Sequence, residues 1–202
     1  MIRIIGLFTL SCLFSCSTYA QEPADNVFPL KDGQIFYEKI IVVDSASKAE
    51  IFKRTKIWAV DAFRSQKNAL QTEDKEEGFI IYKTNFSVPF TFPAIAAMPN
   101  PQTYSWTFFC TMKFLIKDNK CKIIIYDFNF EGESVYSQKR QNLILNYRSS
   151  TEPELKKGLM SKGNREKFYI NTKTTFQAAN STTNNIIDSF EKMIKSKENS
   201  DF

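Results

Sequence analysis

The parts of this 202-residue sequence that could carry chemistry are four cysteines, an acidic cluster, a lysine-rich stretch and a proline-interrupted apolar run. Histidine is absent. That removes the usual general base near neutral pH, the commonest metal ligand and every triad built on an imidazole. Catalysis would fall to carboxylates, Lys or Tyr. Tyr37, Tyr82 and Lys83 are candidates by type only, because no spacing singles them out.

The cysteines divide into two pairs, Cys12 and Cys16 in the first segment and Cys110 and Cys121 in the body. The second pair flanks a turn centred near Asp118-Asn119, so residue 116 or 117 should face Cys121 while Cys110 faces a position around 127 to 129. At roughly 3.3 Å per residue the two sulfurs then lie beyond disulfide reach. Two free thiols are expected. Glu73, Asp74, Glu76 and Glu77 form the acidic cluster, but they lack the alternating ligands, internal Gly and distant Glu of a calcium loop. A charged hairpin tip accounts for them.

Between Lys139 and Lys173, nine Lys and Arg residues outnumber Glu152, Glu154 and Glu166, with Tyr147, Phe168 and Tyr169 among them. Such a pattern can bind anionic polymers, but a solvated surface explains it better and no nucleic-acid partner is expected. The remaining candidate is the stretch from Pro89 to Gln102, where Pro89, Pro93, Pro99 and Pro101 predict a loop. Phe90, Phe92, Ile95, Ala96, Ala97 and Met98 make that loop apolar. Two readings stand. The loop is a surface for a protein partner or a small apolar ligand, or it folds over the second face of the sheet and hides Phe109 and Leu115. On the first reading Phe90, Phe92, Ile95, Met98, Phe109 and Leu115 form the candidate site. No catalytic, cofactor-binding or metal-ligating residue is assigned, and no cofactor is expected.

The elements that must position these groups begin after a targeting segment. Arg3, the apolar run Ile4 to Phe14 and Thr18-Tyr19-Ala20 predict a signal peptide over residues 1–20, cleaved before Gln21. Leu13-Phe14-Ser15-Cys16 also resembles a relaxed lipobox, with Cys16 the lipidated residue. Either route exports the body, to the periplasm, the outer membrane surface or the medium. Membrane attachment comes only through the signal peptide or that lipid anchor.

Gln34 to Val43 reads as a strand, and Ser47 to Phe63 as an amphipathic helix with a Ser47/Glu50 capping box. Its apolar face is Ile51, Phe52, Thr55, Trp58, Ala59, Ala62 and Phe63, with Lys48, Lys53, Arg54, Lys56 and Asp61 mostly opposite. A weak strand over Gln66 to Thr72, a turn over Glu73 to Gly78 and a strand over Phe79 to Val88 follow. The next strand places Trp106, Phe108, Cys110, Met112, Phe114 and Ile116 on one face, and Cys121 to Phe130 returns as its hairpin partner. Val135 to Tyr147 adds a further short strand, Glu152 to Met160 a short helix, and Phe176 to about Lys195 a closing amphipathic helix. Sequential antiparallel strands with helices on one face make an α+β two-layer sandwich. The 19 Phe residues supply core surface for it.

The run Asp32-Gly33-Gln34-Ile35-Phe36-Tyr37-Glu38, followed by Ser47-Lys48-Ala49-Glu50-Ile51-Phe52-Lys53-Arg54, Trp58 and Asp74-Lys75-Glu76, resembles the domain-of-unknown-function family numbered 4468. That family is found in exported bacterial proteins and has a TBP-like fold. The resemblance covers roughly residues 30 to 130 and implies the fold, with no catalytic residue to carry over. Where the family has Leu-Tyr in the helix, this chain has Ile51-Phe52. The organisation expected is a signal peptide at 1–20, a TBP-like domain at 28–132 and a C-terminal extension at 133–202. Three functional classes follow: a non-enzymatic binding or interaction domain of the cell envelope, a structural or accessory lipoprotein, and a histidine-independent enzyme. A formal net charge of +5 favours none of them.

Overall fold

The computed structural model describes residues 27–63, 69–94, 98–132, 141–142 and 162–196. In chain order the elements are β1 (Leu30–Lys31), β2 (Gln34–Ile35), β3 (Tyr37–Val42), α1 (Lys48–Ala62), β4 (Leu70–Asp74), β5 (Phe79–Phe92), β6 (Gln102–Lys117), β7 (Lys120–Gly132), β8 (Gln141–Asn142) and α2 (Lys162–Lys195). The main sheet runs β3-β7-β6-β5-β4, with β8 added on β7, and each of these pairings is antiparallel. Both helices pack on one face, so the expected α+β sandwich is the architecture found. The expected signal peptide with Cys12 and Cys16, residues Ile95 to Ala97, and the helix over Glu152 to Met160 lie outside the described residues.

Helix α1 starts where its side chains direct it. Ser47, extended at φ −70° and ψ 158°, accepts from the Glu50 N–H at 3.2 Å. Asp118 Oδ1 in the β6–β7 turn accepts from the Lys48 N–H at 2.7 Å, which ties the helix start to the sheet. Ile51, Phe52, Thr55, Trp58 and Ala59 are buried as the spacing predicts. Arg54 corrects the pattern: it is buried too, although its charge placed it on the polar side. Its Nη1 donates to the Ile194 carbonyl at 2.7 Å and its Nη2 pairs with Glu50. The cation thus sits at the C-terminal end of α2, where the helix dipole and unpaired carbonyls favour positive charge.

Beneath the helices, β5 and β6 present Ile80, Tyr82, Val88, Phe108, Cys110, Met112, Phe114 and Ile116, all buried. Strand β7 contributes Cys121, Ile123 and Ile125, then Phe128 and Phe130. The switch from odd to even numbers is a β-bulge at the Cys110 position of β6, where Asp127 takes φ 57°. The Asp127 carboxylate accepts from Asn129 Nδ2 at 3.3 Å and from Thr111 Oγ1 at 3.4 Å, and local bonds of this kind let Asp tolerate a left-handed backbone.

Two expected boundaries move. Proline does not end β5 at residue 88; the strand continues through Pro89 to Phe92, and β6 begins at Gln102. Beyond Tyr82, β5 has outrun its pairing with β4, so Pro89 sits on an edge where its missing N–H faces away from β6. The Pro89 carbonyl instead accepts from Thr175 Oγ1 at 3.2 Å, and the Thr91 carbonyl accepts from Asn171 Nδ2 at 2.7 Å. The acidic hairpin tip is also shorter than expected, because Glu73 and Asp74 belong to β4.

The closing helix begins at Lys162 and is 34 residues long, about 51 Å at 1.5 Å per residue. Its buried stripe starts at Phe168 and continues through Thr172, Thr175, Phe176, Ala179, Thr183, Ile187, Phe190 and Ile194. The threonines break the apolar signal in the sequence while keeping the face. This stripe shares one hydrophobic core with the strands, so α2 is half of the helix layer. Of the strand expected over Val135 to Tyr147, Gln141–Asn142 is described as β8.

Candidate functional site

The apolar residues proposed as one surface are separated by the sheet. Phe90 lies on the helix side, 3% exposed, stacked on Trp106 at 4.3 Å and edge-on to Phe168 at 5.6 Å. Phe92 is half-buried on the same side, 5.7 Å from the Phe168 ring. Phe109 and Leu115 are half-buried on the opposite face, Met98 is half-buried beyond β5, and Ile95 lies outside the described residues. Phe90 and Phe92 therefore belong to the junction of β5 with the start of α2. Phe168, counted in the sequence among the basic residues as a possible stacking surface, is consumed by the same packing.

Two other places can receive a ligand or partner. The first is a cleft of about 510 Å³ between the β1–β3 region and α2, lined among others by Pro29, Phe36, Tyr37, Lys39, Asn184 and Asp188. Its polar groups are already engaged. The Tyr37 hydroxyl donates to Asn180 Oδ1 at 2.7 Å, and Lys39 Nζ pairs with Asp188 at 3.1 Å and Glu191 at 2.5 Å. Glu38 pairs with Lys122 at 2.9 Å, and Lys31 lies 4.7 Å from the centre of the Phe36 ring.

Titration follows from these contacts. Burial pushes the Tyr37 phenol well above its ordinary range, with a hydrogen bond to Thr183 opposing. The Lys122 hydrogen bond holds Glu38 below the usual carboxylate value, and the bonds to Glu191 and Asp188 hold Lys39 above its own. A phenol raised in this way is a poor base at neutral pH.

The second place is the open face of the sheet. Across β3, β7, β6 and β5, Ile40 stands beside Lys122, Leu115 and Phe79, and Glu38 beside Ile124, Lys113 and Ile81. A third row holds Tyr126, Thr111 and Lys83, and a fourth Asn129, Phe109 and Asn85. Each of the first two rows sets one lysine among apolar side chains, and the second begins at Glu38. Ile40 is 59% and Val42 56% exposed, whereas Phe79, Ile81, Leu115 and Ile124 are half-buried. Sequence alternation exposed this face as mixed but did not mark Ile40 and Val42. Both sit in an apolar run, Ile40-Ile41-Val42-Val43, that reads as fully buried unless the strand is known to lie at an edge.

The cysteines stand as expected. Ile116 faces Cys121, Cys110 meets the bulge, and both thiols are free and buried. Burial pushes each up to about 12, with the Asp127 carboxylate adding to it at Cys110. A thiol-specific reagent at about pH 8 should leave both unmodified in the native protein and modify both after denaturation, since the thiolate is the reacting form. Folding raises both thiols above their ordinary 9.0, so this contribution to stability is full below that value and is lost as pH rises toward about 12. A steeper unfolding transition loss at alkaline pH than in the double Cys→Ala variant is the corresponding measurement.

An antiparallel sheet with both helices on one face and, among the described residues, no element on the other defines the α+β class of the TBP-like fold. Residues 37–131 match the family model described as a domain of unknown function (DUF4468) with TBP-like fold. The matched segment, somewhat under half of the chain, holds α1 and most of the main sheet; β1, β2, β8 and α2 lie outside it. Among solved structures, a DUF4468 family protein from Bacteroides ovatus is similar with a TM-score of 0.54 at 10% identity, over 89% of this chain and 99% of that one. A TBP-like protein from Parabacteroides distasonis has a TM-score of 0.48 at 15% identity, over 82% and 97%. The first likeness extends the shared fold beyond the matched segment. A comparison with curated proteins yields no match.

Proposed function

We propose that this chain is an exported, non-enzymatic interaction domain that presents the open face of its sheet to a protein partner in the cell envelope. The observation that carries the reading is the placement of exposed Ile40 and Val42 beside half-buried Leu115, Phe79, Ile81 and Ile124, with lysines between them. An apolar patch rimmed by charge is the usual mark of a partner surface. A broad, flat face suits a protein better than a small apolar ligand, which takes a concave site. The cleft beside Tyr37 has its charges paired within the chain and offers no nucleophile next to a base.

The test is capture of the partner from the native envelope by the wild-type chain and by a Leu115→Lys/Ile124→Lys variant. Partner affinity should fall at least about tenfold in the variant, roughly 1.4 kcal/mol. Its thermal midpoint should move only slightly, because both positions lie on the wet face. Equal capture by the two chains would reject the surface. Export by lipid anchor is favoured by Leu13-Phe14-Ser15-Cys16 alone; the mass of the mature N-terminus separates a chain beginning at Gln21 from one beginning at acylated Cys16.

A further inference from the structure

The two margins of the sheet are treated differently. On one side, β4 covers only the start of β5, and it is five residues long, interrupted by a register shift between Leu70 and Thr72 and charged at Glu73 and Asp74. Past it, β5 is blunted by Pro89 and by the α2 side chains that occupy the Pro89 and Thr91 carbonyls. These are the devices that keep an edge strand from pairing with another chain. The opposite margin is β3, which has no proline and no bulge, and among the described residues no strand pairs with its outer side. Among the described residues, two of the four exposed large hydrophobic ones, Ile40 and Val42, lie on this six-residue strand.

The direction of the free backbone groups follows from the register. Val43 N–H donates to the Asn119 carbonyl at 2.9 Å, so the odd-numbered residues of β3 bond to β7. By alternation, the N–H and C=O groups of Glu38, Ile40 and Val42 point outward.

We propose that β3 pairs with β3 of a second copy, antiparallel about a two-fold axis at Ile40, joining the two sheets edge to edge. This deepens the interaction-domain reading and rests on it for the open face next to β3. Charge selects the occupant and the register. With the axis at Ile40, Ile40 faces Ile40 of the second copy, Glu38 faces Val42 of the second copy, and Lys39 faces Ile41 of the second copy. All outward groups of the three even residues then find partners. An axis at Lys39 would oppose two lysines, one at Glu38 two carboxylates, and one at Ile41 would set Glu38 against Asp44 of the second copy. Like charges directly opposite are destabilising. An axis at Val42 leaves Ile40 against Asp44 of the second copy and Glu38 unpaired beyond the strand end. Only the register at Ile40 pairs the whole strand without a like-charge contact, and a two-fold contact of this kind closes on itself without forming a fibre.

The experiment is sedimentation of the exported chain from about 1 to about 100 µM, compared with Ile40→Lys, Ile40→Glu and their equimolar mixture. The wild-type chain should dimerise in this range. Each single variant should be monomeric, with association weakened at least about tenfold. The mixture should recover a dimer, because residue 40 meets its own counterpart across the axis and the two charges then attract. That recovery also shows that both variants are folded. A wild-type chain monomeric throughout, an unchanged dimer in either variant, or no dimer in the mixture would each overturn the proposal. Leu115→Lys/Ile124→Lys separates the two readings, since it should weaken partner capture at least about tenfold and leave the dimer intact.

Discussion

Trp58→Ala should lower the stability of this protein by about 3–5 kcal/mol in denaturant unfolding, the range for removing a fully buried aromatic ring. The indole is 3% exposed and stands where the helix layer meets the sheet. It makes edge contacts with Phe63 at 5.5 Å, Phe114 at 5.8 Å and Phe190 at 5.1 Å, one partner each from the end of α1, from β6 and from α2. Aromatic pairs of this geometry add to the area they bury. The ring N–H also donates to Ser189 Oγ at 3.0 Å, so the polar end is satisfied at the rim of the core. Alanine would leave a cavity bounded by both helices and the central strand, which cannot all close inward together. Trp58→Phe should lose substantially less, because the ring contacts survive and only the hydrogen bond and part of the volume go. A near-neutral Trp58→Ala would show that the three elements do not converge on this ring.

Gly78→Ala should be the most damaging substitution of a single small residue, at roughly 2–4 kcal/mol. Two causes combine. Gly78 has φ +76°, a region an L side chain rarely adopts, and a Cβ built there would stand 2.4 Å from the Ile116 carbonyl oxygen. Neither group can retreat cheaply, because Ile116 N–H donates to the Gly78 carbonyl at 2.6 Å and this bond starts the β5–β6 ladder. Gly33 is the built-in comparison. It has nearly the same φ, +74°, but open space where a Cβ would sit. Gly33→Ala should therefore cost only the conformational part, about 1 kcal/mol. Unfolding curves of the two variants separate backbone strain from collision. Equal losses would mean that the approach of Ile116 is relieved by a small shift of the turn.

These two positions differ in how far the sequence reveals them. Trp58 stands on the apolar stripe of a capped helical pattern, so its burial follows from period and cap alone. Gly78 is legible as the end of a hairpin turn, but not as a close approach, since the neighbour that makes it so is 38 positions away in the chain. The same divide runs through the rest of the molecule. The Cys110 and Cys121 geometry came out of strand rise and a tight turn, because a hairpin register depends only on local residues. Arg54 could not be placed on the buried face from its own helix, because what buries it is the Ile194 carbonyl at the far end of α2. The proline rule failed at Pro89 for a related reason. Proline is forbidden where a neighbour needs its N–H, and only the sheet order shows that Pro89 has no such neighbour on that side.

The candidate site follows the same logic. Phe90, Phe92, Phe109 and Leu115 are all apolar in a region dense with proline, and composition alone grouped them. Once β5 continues through Pro89, parity sends Phe90 and Phe92 under α2 and leaves Phe109 and Leu115 on the open face. Conversely, Ile40 and Val42 were hidden inside an apolar run whose meaning depends on whether β3 is central or at an edge.

By itself, then, the sequence determined the capped helix α1, the α+β class, the buried face of β6 and the two thiols held apart. Each of these rests on interactions between residues near one another in the chain. The order of strands, the burial of Arg54, the reach of α2 over the β5 edge and the exposure of Ile40 and Val42 were decided by the tertiary structure. Those properties depend on which element lies beside which, and no local pattern encodes that neighbour.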